Sequence, residues 1–146
     1  MDHPSGDVLS NEYVAGLFDG EGCVTSQMQW VKGKYEKYPR VHLRLSITNN
    51  SIRIMELLEE WFGGGSRKKQ KNKDCYHWLV IGKKEMLRFL NYIKDFVIIK
   101  RDQVDLAIKF AETLRDENLG CVPLSKETHD LRFFIHNRLR ELKHEH

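Results

Sequence analysis

A chain of 146 residues, 40% hydrophobic and 31% charged, can bury one core and is too short for two well-packed ones. No apolar run reaches the roughly 20 residues that a membrane helix needs. Residues 1–10 hold acids, a proline and a glycine rather than the basic-then-apolar order of a secretion signal. These features exclude a membrane span and predict an intracellular location, whether cytoplasm, nucleoid or organelle. Cys23, Cys75 and Cys121 are far apart and form no C-x-x-C pair, so they are expected as reduced, mostly buried thiols and not as a zinc site. Net charge is +3 and unevenly placed. Residues 32–44 carry Lys32, Lys34, Lys37, Arg40 and Arg44 against Glu36, and residues 67–74 carry Arg67, Lys68, Lys69, Lys71 and Lys73 against Asp74. Each segment is +4, which leaves −5 for everything else. Positive charge concentrated on particular elements points to a polyanionic partner.

Along the chain, Ser10 suits an N-cap, with Asn11 and Glu12 in the first turn, and predicts a helix over residues 11–18 that ends by Gly20. Its small Ala15 and Gly16 would let another helix approach the backbone closely. From 23 to 30, Val24, Met28 and Trp30 share one parity and Thr25, Gln27 and Gln29 the other, as in a half-buried strand with its polar side outward. Residues 31–39 read as a basic loop. The next strand alternates most cleanly, with Val41, Leu43, Leu45 and Ile47 inward and Arg40, His42, Arg44 and Ser46 outward. Thr48 to Ser51 offers caps for a helix over 51–62, in which Ile52, Met55, Leu58, Trp61 and Phe62 recur at helical spacing until three glycines stop the run. Residues 66–81 predict a second hairpin, basic in its first strand and turn, with Tyr76, Trp78 and Val80 alternating with Cys75, His77 and Leu79. Helices follow over 83–92 and 100–115, the second with Val104, Ile108 and Ala111 on one face. After Gly120 and Pro123 a last helix opens near Ser125 and Thr128 and runs to Leu142. His136, His144 and His146 are expected in a solvated tail, and no helix carries an H-E-x-x-H pattern. The order αββαββααα is an α+β arrangement, read as one domain over residues 1–146 with its core at 10–115 and a helical extension at 124–143.

Two hairpins with basic and amide side chains outward, backed by helices, suit a nucleic-acid groove. A two-stranded ribbon fits the DNA major groove, where Arg and Gln make bidentate contacts to base edges. The same pattern also describes solvated edge strands protected against aggregation. Thr25, Gln27, Gln29, Arg40, His42 and Arg44 are the foremost candidates for base reading, with Arg67, Lys69 and His77 behind them. Lys32, Lys34, Lys37, Lys68, Lys71 and Lys73 suit phosphate contacts, whose contribution falls with salt. Chemistry points to Asp19-Gly20-Glu21-Gly22. Hydrolysing a phosphodiester requires an activated water and neutralised phosphate charge, and Mg2+ supplies both through one or two carboxylates plus water and phosphate. Glu21, expected on a tight glycine turn past the first helix, suits that role. Gly20 leaves its neighbouring carbonyl free to approach a metal, and Gly22 leaves room for a DNA backbone. An isolated D-G-E-G is also an ordinary helix-to-strand turn with exposed acids.

Val14 to Gly22 resembles the signature of the LAGLIDADG homing endonuclease family, in a variant form ending D-G-E-G, and the resemblance extends through the αββαββα order to about Leu114. It implies an antiparallel curved sheet with helices on one side, followed by C-terminal helices. It also implies a divalent cofactor, Mg2+ with Mn2+ able to substitute, and no small-molecule cofactor. By the same resemblance Glu21 is the metal ligand, Gly20 offers a backbone carbonyl, and Asp19 supports the helix end or adds a ligand. Asn49, Arg53 and Lys100 fall where the family orders water at the cleaved phosphate. Read without the resemblance, Asn49 is equally a helix cap, Arg53 a solvent-facing helix residue, and Lys100 one member of a charged helix start.

The motif occurs once, so the resemblance implies a homodimer joined through Tyr13, Ala15, Gly16 and Leu17. Such a dimer would cut opposite strands of double-stranded DNA at a long palindromic or near-palindromic site. The alternative is the same fold with cleavage lost, acting as an intron maturase or a DNA-binding regulator.

Overall fold

The computed structural model describes residues 6–30, 39–68, 75–115 and 124–144. Ser10 accepts the Tyr13 N–H and opens α1 (Asn11–Glu21). Then come β1 (Gly22–Gln29), β2 (Arg40–Asn49), α2 (Ile52–Phe62), β3 (Gly65–Lys68), β4 (Tyr76–Val80), α3 (Lys83–Ile93), α4 (Arg101–Glu112) and α5 (Lys126–His144). This is the expected α+β order. The strands form one antiparallel sheet in the order β1-β2-β4-β3.

Strict alternation in β2 buries Val41, Leu43, Leu45 and Ile47, and β4 adds Trp78 and Val80. The helices cover that face and contribute Phe18, Phe62 and Phe89. Phe89 sits at the centre of an aromatic knot, with ring centroids 5.5 Å from Phe18, 5.1 Å from Phe62 and 4.9 Å from Trp78. Edge-to-face and tilted pairs of this kind each add about 0.5–1.5 kcal/mol beyond area burial. Trp78 Nε1 donates to Gly63 O at 2.8 Å, where Gly63 and Gly64, at φ 81° and 80°, turn the chain from α2 into β3. An L side chain would be strained in that left-handed region.

Several expectations need correction. The first helix does not stop at Phe18: it runs on through Asp19 and Gly20 to Glu21, and the Gly22 N–H closes it on Phe18 O. Contacts made by the helix end outweigh the low helix propensity of Gly20. Glu21 therefore rides the last helical turn rather than a glycine loop. Met28 and Trp30, expected inward, are 40% and 76% exposed, because they lie at the end of β1 and beyond it, where the covering helices stop, although Val41 opposite Met28 is still buried. Cys23 and Cys75 are half-buried rather than buried, and Cys121 lies outside the described residues.

His136 is not in a solvated tail. It is 6% exposed, on the buried face of α5 with Arg132, Ile135, Leu139 and Leu142, and its Nδ1 lies 2.6 Å from Ser26 Oγ on β1. His144 ends the same helix in an exposed position, and His146 lies outside the described residues.

Burial, followed by the positive charge of Arg140, holds the His136 imidazole below the usual histidine range. The unfolded chain therefore takes up this proton first. The stability contributed by neutral His136 is complete above the ordinary histidine value of about 6.5 and is lost as pH falls below it toward the lower folded-state value. Thermal unfolding followed between about pH 7.5 and about pH 5 should show Tm falling less for His136→Gln than for the native chain. Parallel pH slopes for the two proteins would remove His136 from the acid sensitivity.

Candidate active site and nucleic-acid face

The rotation of α1 follows from its sequence. Val14, Ala15 and Phe18 are buried at helical spacing, which turns Tyr13, Gly16 and Gly20 to solvent, with Leu17 half-buried beside them. Ala15, expected on the outer seam, belongs instead to the core at 1% exposure, because it shares the side of Val14 and Phe18. A Cβ built at Gly16 or Gly20 meets nothing within 4 Å, so these glycines leave bare backbone on the outer face. At Gly22 a Cβ would fall 2.3 Å from the Phe18 ring. That contact accounts for Gly22 from within the fold, in place of the expected clearance for DNA.

The end of α1 is clasped to the start of α4. Asp19 accepts from the Ile98 N–H at 2.8 Å and the Lys100 N–H at 3.0 Å, one through each carboxylate oxygen. In return, Lys100 Nζ donates to Phe18 O at 3.2 Å and Asp19 O at 2.7 Å. An ammonium at the C-terminal end of a helix meets both exposed carbonyls and the negative end of the helix dipole. Asp19 thus has both oxygens engaged by backbone amides, which fits the supporting role expected of it.

One residue beyond Gly20, Glu21 is exposed and its Oε1 accepts from Asn49 Nδ2 at 2.7 Å. Asn49 Oδ1 simultaneously accepts the Ser51 N–H at 2.7 Å, while Ser51 caps α2 through the Ile54 N–H. Asn49 is therefore both the turn-former and the neighbour of Glu21, and its amide orientation follows from the two bonds together. Arg53 stands apart. Its guanidinium hydrogen-bonds Asp7, from the segment before α1, and lies 3.7 Å from Glu56. Asp7, then the neighbouring glutamates, raise its already high pKa.

No group of three or more His, Cys, Asp or Glu side chains that could hold a metal occurs among the described residues. One chain offers an exposed Glu21 at a negative helix end, followed by neither a second free acid nor an imidazole. A hard cation needs one or two carboxylates with water and phosphate oxygens, and the exposed Glu21 carboxylate is a donor of that kind.

On the outer sheet face, the register sets Thr25 opposite Arg44, Gln27 opposite His42 and Gln29 opposite Arg40. Gln27, Gln29, Arg40, His42 and Arg44 are exposed, whereas Thr25 is half-buried and its Oγ1 lies 3.2 Å from Cys23 Sγ. His77 is also half-buried, with Nδ1 2.8 Å from Thr48 Oγ1. Lys32, Lys34, Lys37, Lys69, Lys71 and Lys73 lie outside the described residues, and Arg67 and Lys68 are described only as backbone positions in β3. Sequence reasoning missed Asp7 as a partner for Arg53, which no local pattern signals. It also missed Ser26–His136, for which the spacing of Arg132, Ile135, His136 and Leu139 was the available sign.

Comparison with known proteins decides the family. Residues 14–112, more than half of the chain, match the family model described as LAGLIDADG endonuclease. This chain belongs to that family. Over 94 residues it is 28% identical to the probable intron-encoded endonuclease aI2 of Debaryomyces hansenii, a match covering 58% of this chain and 14% of that protein. It therefore spans only a small part of the length of that curated relative.

Solved structures share the fold. The archaeal intron-encoded I-Vdi141I complexed with DNA superposes with a TM-score of 0.76 at 19% identity, covering 90% of this chain and 82% of that one. I-CvuI, in complex with its target in the presence of calcium, gives 0.71 at 18%, covering 90% and 80%. I-SmaMI bound to cleaved DNA gives 0.68 at 16%, covering 94% of this chain and 44% of that one.

If the clasp fixes the end of α1, Asp19→Asn, which presents an NH2 group to one of the two amide donors, should lower stability by about 1–2 kcal/mol in urea unfolding. Unchanged stability would mean that the clasp contributes nothing net.

Proposed function

We propose that this chain is a site-specific, divalent-metal-dependent double-strand DNA endonuclease acting as a homodimer on a long palindromic or near-palindromic site. The observation that carries the reading is one exposed carboxylate, Glu21, at the end of a helix whose outer face is bare glycine backbone. Two copies packed along Tyr13, Gly16 and Leu17 would bring two Glu21 side chains to one axis, one for each strand. I-CvuI was solved on DNA targets in the presence of calcium and, separately, of magnesium with the DNA uncleaved. That precedent supports divalent metal use and a DNA target here.

A divalent ion bound at Glu21 would supply Lewis acidity toward the phosphate and acidify a water. Asn49 directs Oε1 of Glu21, leaving the second oxygen to meet the ion. Lys100 sets positive charge beside the helix end, where it can offset charge developing on the phosphate. Arg53 has to exchange Asp7 for a phosphate oxygen to take part. The outer sheet face, with Gln27, Gln29, Arg40, His42 and Arg44, supplies the groove contacts.

Glu21→Gln should retain DNA binding and reduce Mg2+-dependent cleavage by about a hundredfold or more. Undiminished cutting by this variant would remove Glu21 from the mechanism. Retained binding with no cutting by the native chain, on its own insertion site with Mg2+, would favour the DNA-binding or maturase alternative. Because Gly16 has open space around it, Gly16→Leu should fold with unchanged or slightly raised stability, within about 1 kcal/mol, yet sediment as a monomer. A persistent dimer would place the seam elsewhere.

A further inference from the structure

The β1–β2 ribbon outruns the rest of the sheet. β4 pairs with β2 only over residues 45–49, whereas β1 stays paired with β2 from Gly22↔Ile47 to Gln29↔Arg40. Residues 25–29 and 40–44 thus form a two-stranded extension, and a two-stranded hairpin alone is marginal in water. Of the helices that contact both strands, α1, α4 and α5, the last makes the Ser26 contact and lies beyond the residues 14–112 that match the family model.

Ser26 shares the core-facing parity of Val24, sits opposite Leu43, and places its Oγ 2.6 Å from His136 Nδ1. One residue to either side, Thr25 and Gln27 point to the other face of the sheet. One turn before His136 on α5, the buried Arg132 anchors the helix to the end of α4: its Nε donates to Thr113 Oγ1 at 2.9 Å and an Nη to Thr113 O at 2.8 Å. Its guanidinium also lies 5.3 Å over the Phe110 ring. A helix tied to the helical layer at Arg132 and to the ribbon at His136 couples the extension to the core, alongside the contacts that α1 and α4 make with the same two strands.

We infer that α5 is the support that sets the position of the ribbon, and that His136 is a positioning residue for specificity, holding Thr25 and Gln27 against base edges through Ser26. This rests on the proposed DNA-reading role of the ribbon. His136 itself faces away from the outer sheet face and acts only through the strand it holds.

The test uses the full chain with His136→Ala and, separately, Ser26→Ala, which removes only a hydroxyl and carries the test alone if the first variant does not fold. Without DNA, amide hydrogen exchange at residues 25–29 should accelerate about three- to tenfold relative to residues 45–49 in either variant. With DNA, discrimination among single-base variants of the site should fall by a similar factor at the positions under Thr25 and Gln27 and hold elsewhere. The double variant should be no worse than the single ones. Unchanged exchange in the ribbon, or an affinity loss uniform across all site positions, overturns the inference. If exchange accelerates but discrimination does not change, Gln27→Ala separates the causes. A shift in discrimination for Gln27→Ala overturns the positioning role, and no shift overturns base reading by the ribbon.

Discussion

Burial of one ring decides what α1 can present. Phe18 packs edge-on against Phe89 within the aromatic core, and with the ring fixed there the helix cannot rotate. Val14 and Ala15 must then face inward, and Tyr13, Gly16 and Gly20 outward. Glu21 follows three residues after Phe18 on nearly the same side of the helix, and it is exposed because it is the last residue of α1. Removing the ring would cost about 3–5 kcal/mol of core packing and free the element that carries the acid. Gly22 belongs to the same constraint, since any side chain there would collide with the ring that sets the helix.

The helix end is then held by opposite charges in complementary places. Asp19 receives two backbone amides from the α3–α4 connection, and Lys100 returns its ammonium to two carbonyls of α1. Neither interaction needs a nucleic acid to form. The clasp thus sets the Lys100 ammonium at the helix end that carries Glu21 without help from a bound substrate. Arg53 is the exception: exposed and paired with Asp7, it is held by an interaction that water and phosphate both contest.

Much of this was legible in the sequence, and for identifiable reasons. Alternation in β2 and helical periodicity in α2 each had a buried partner face, so period placed both elements, although Ile52 at the start of the α2 repeat is exposed and Leu57, outside it, is buried. The family was legible because Val14 to Gly22 packs small residues, an aromatic and two acids into one turn-spaced motif. The end of α1 was not legible, since the glycines that weaken a helix locally are overruled by Lys100, some 80 positions away. Met28 and Trp30 misled because parity cannot tell where the covering layer stops. His136 misled for the opposite reason, as the residues after 115 looked like an appendage yet supply part of the core. Among the site residues, Asn49 and Lys100 reach the end of α1, while Arg53 goes to an acid in the leading segment that no spacing rule connects to it.

In the proposed function each copy contributes one Glu21, so cutting both strands of DNA requires a second copy. That claim is tested most directly by mixing native chains with an excess of Glu21→Gln chains and assaying a supercoiled plasmid bearing the insertion site. Mixed dimers hold one competent centre each, so the account predicts nicked circles accumulating while linear product falls in proportion to the native dimers remaining. Linear product that tracks native chain concentration, with no nicked intermediate, would contradict it.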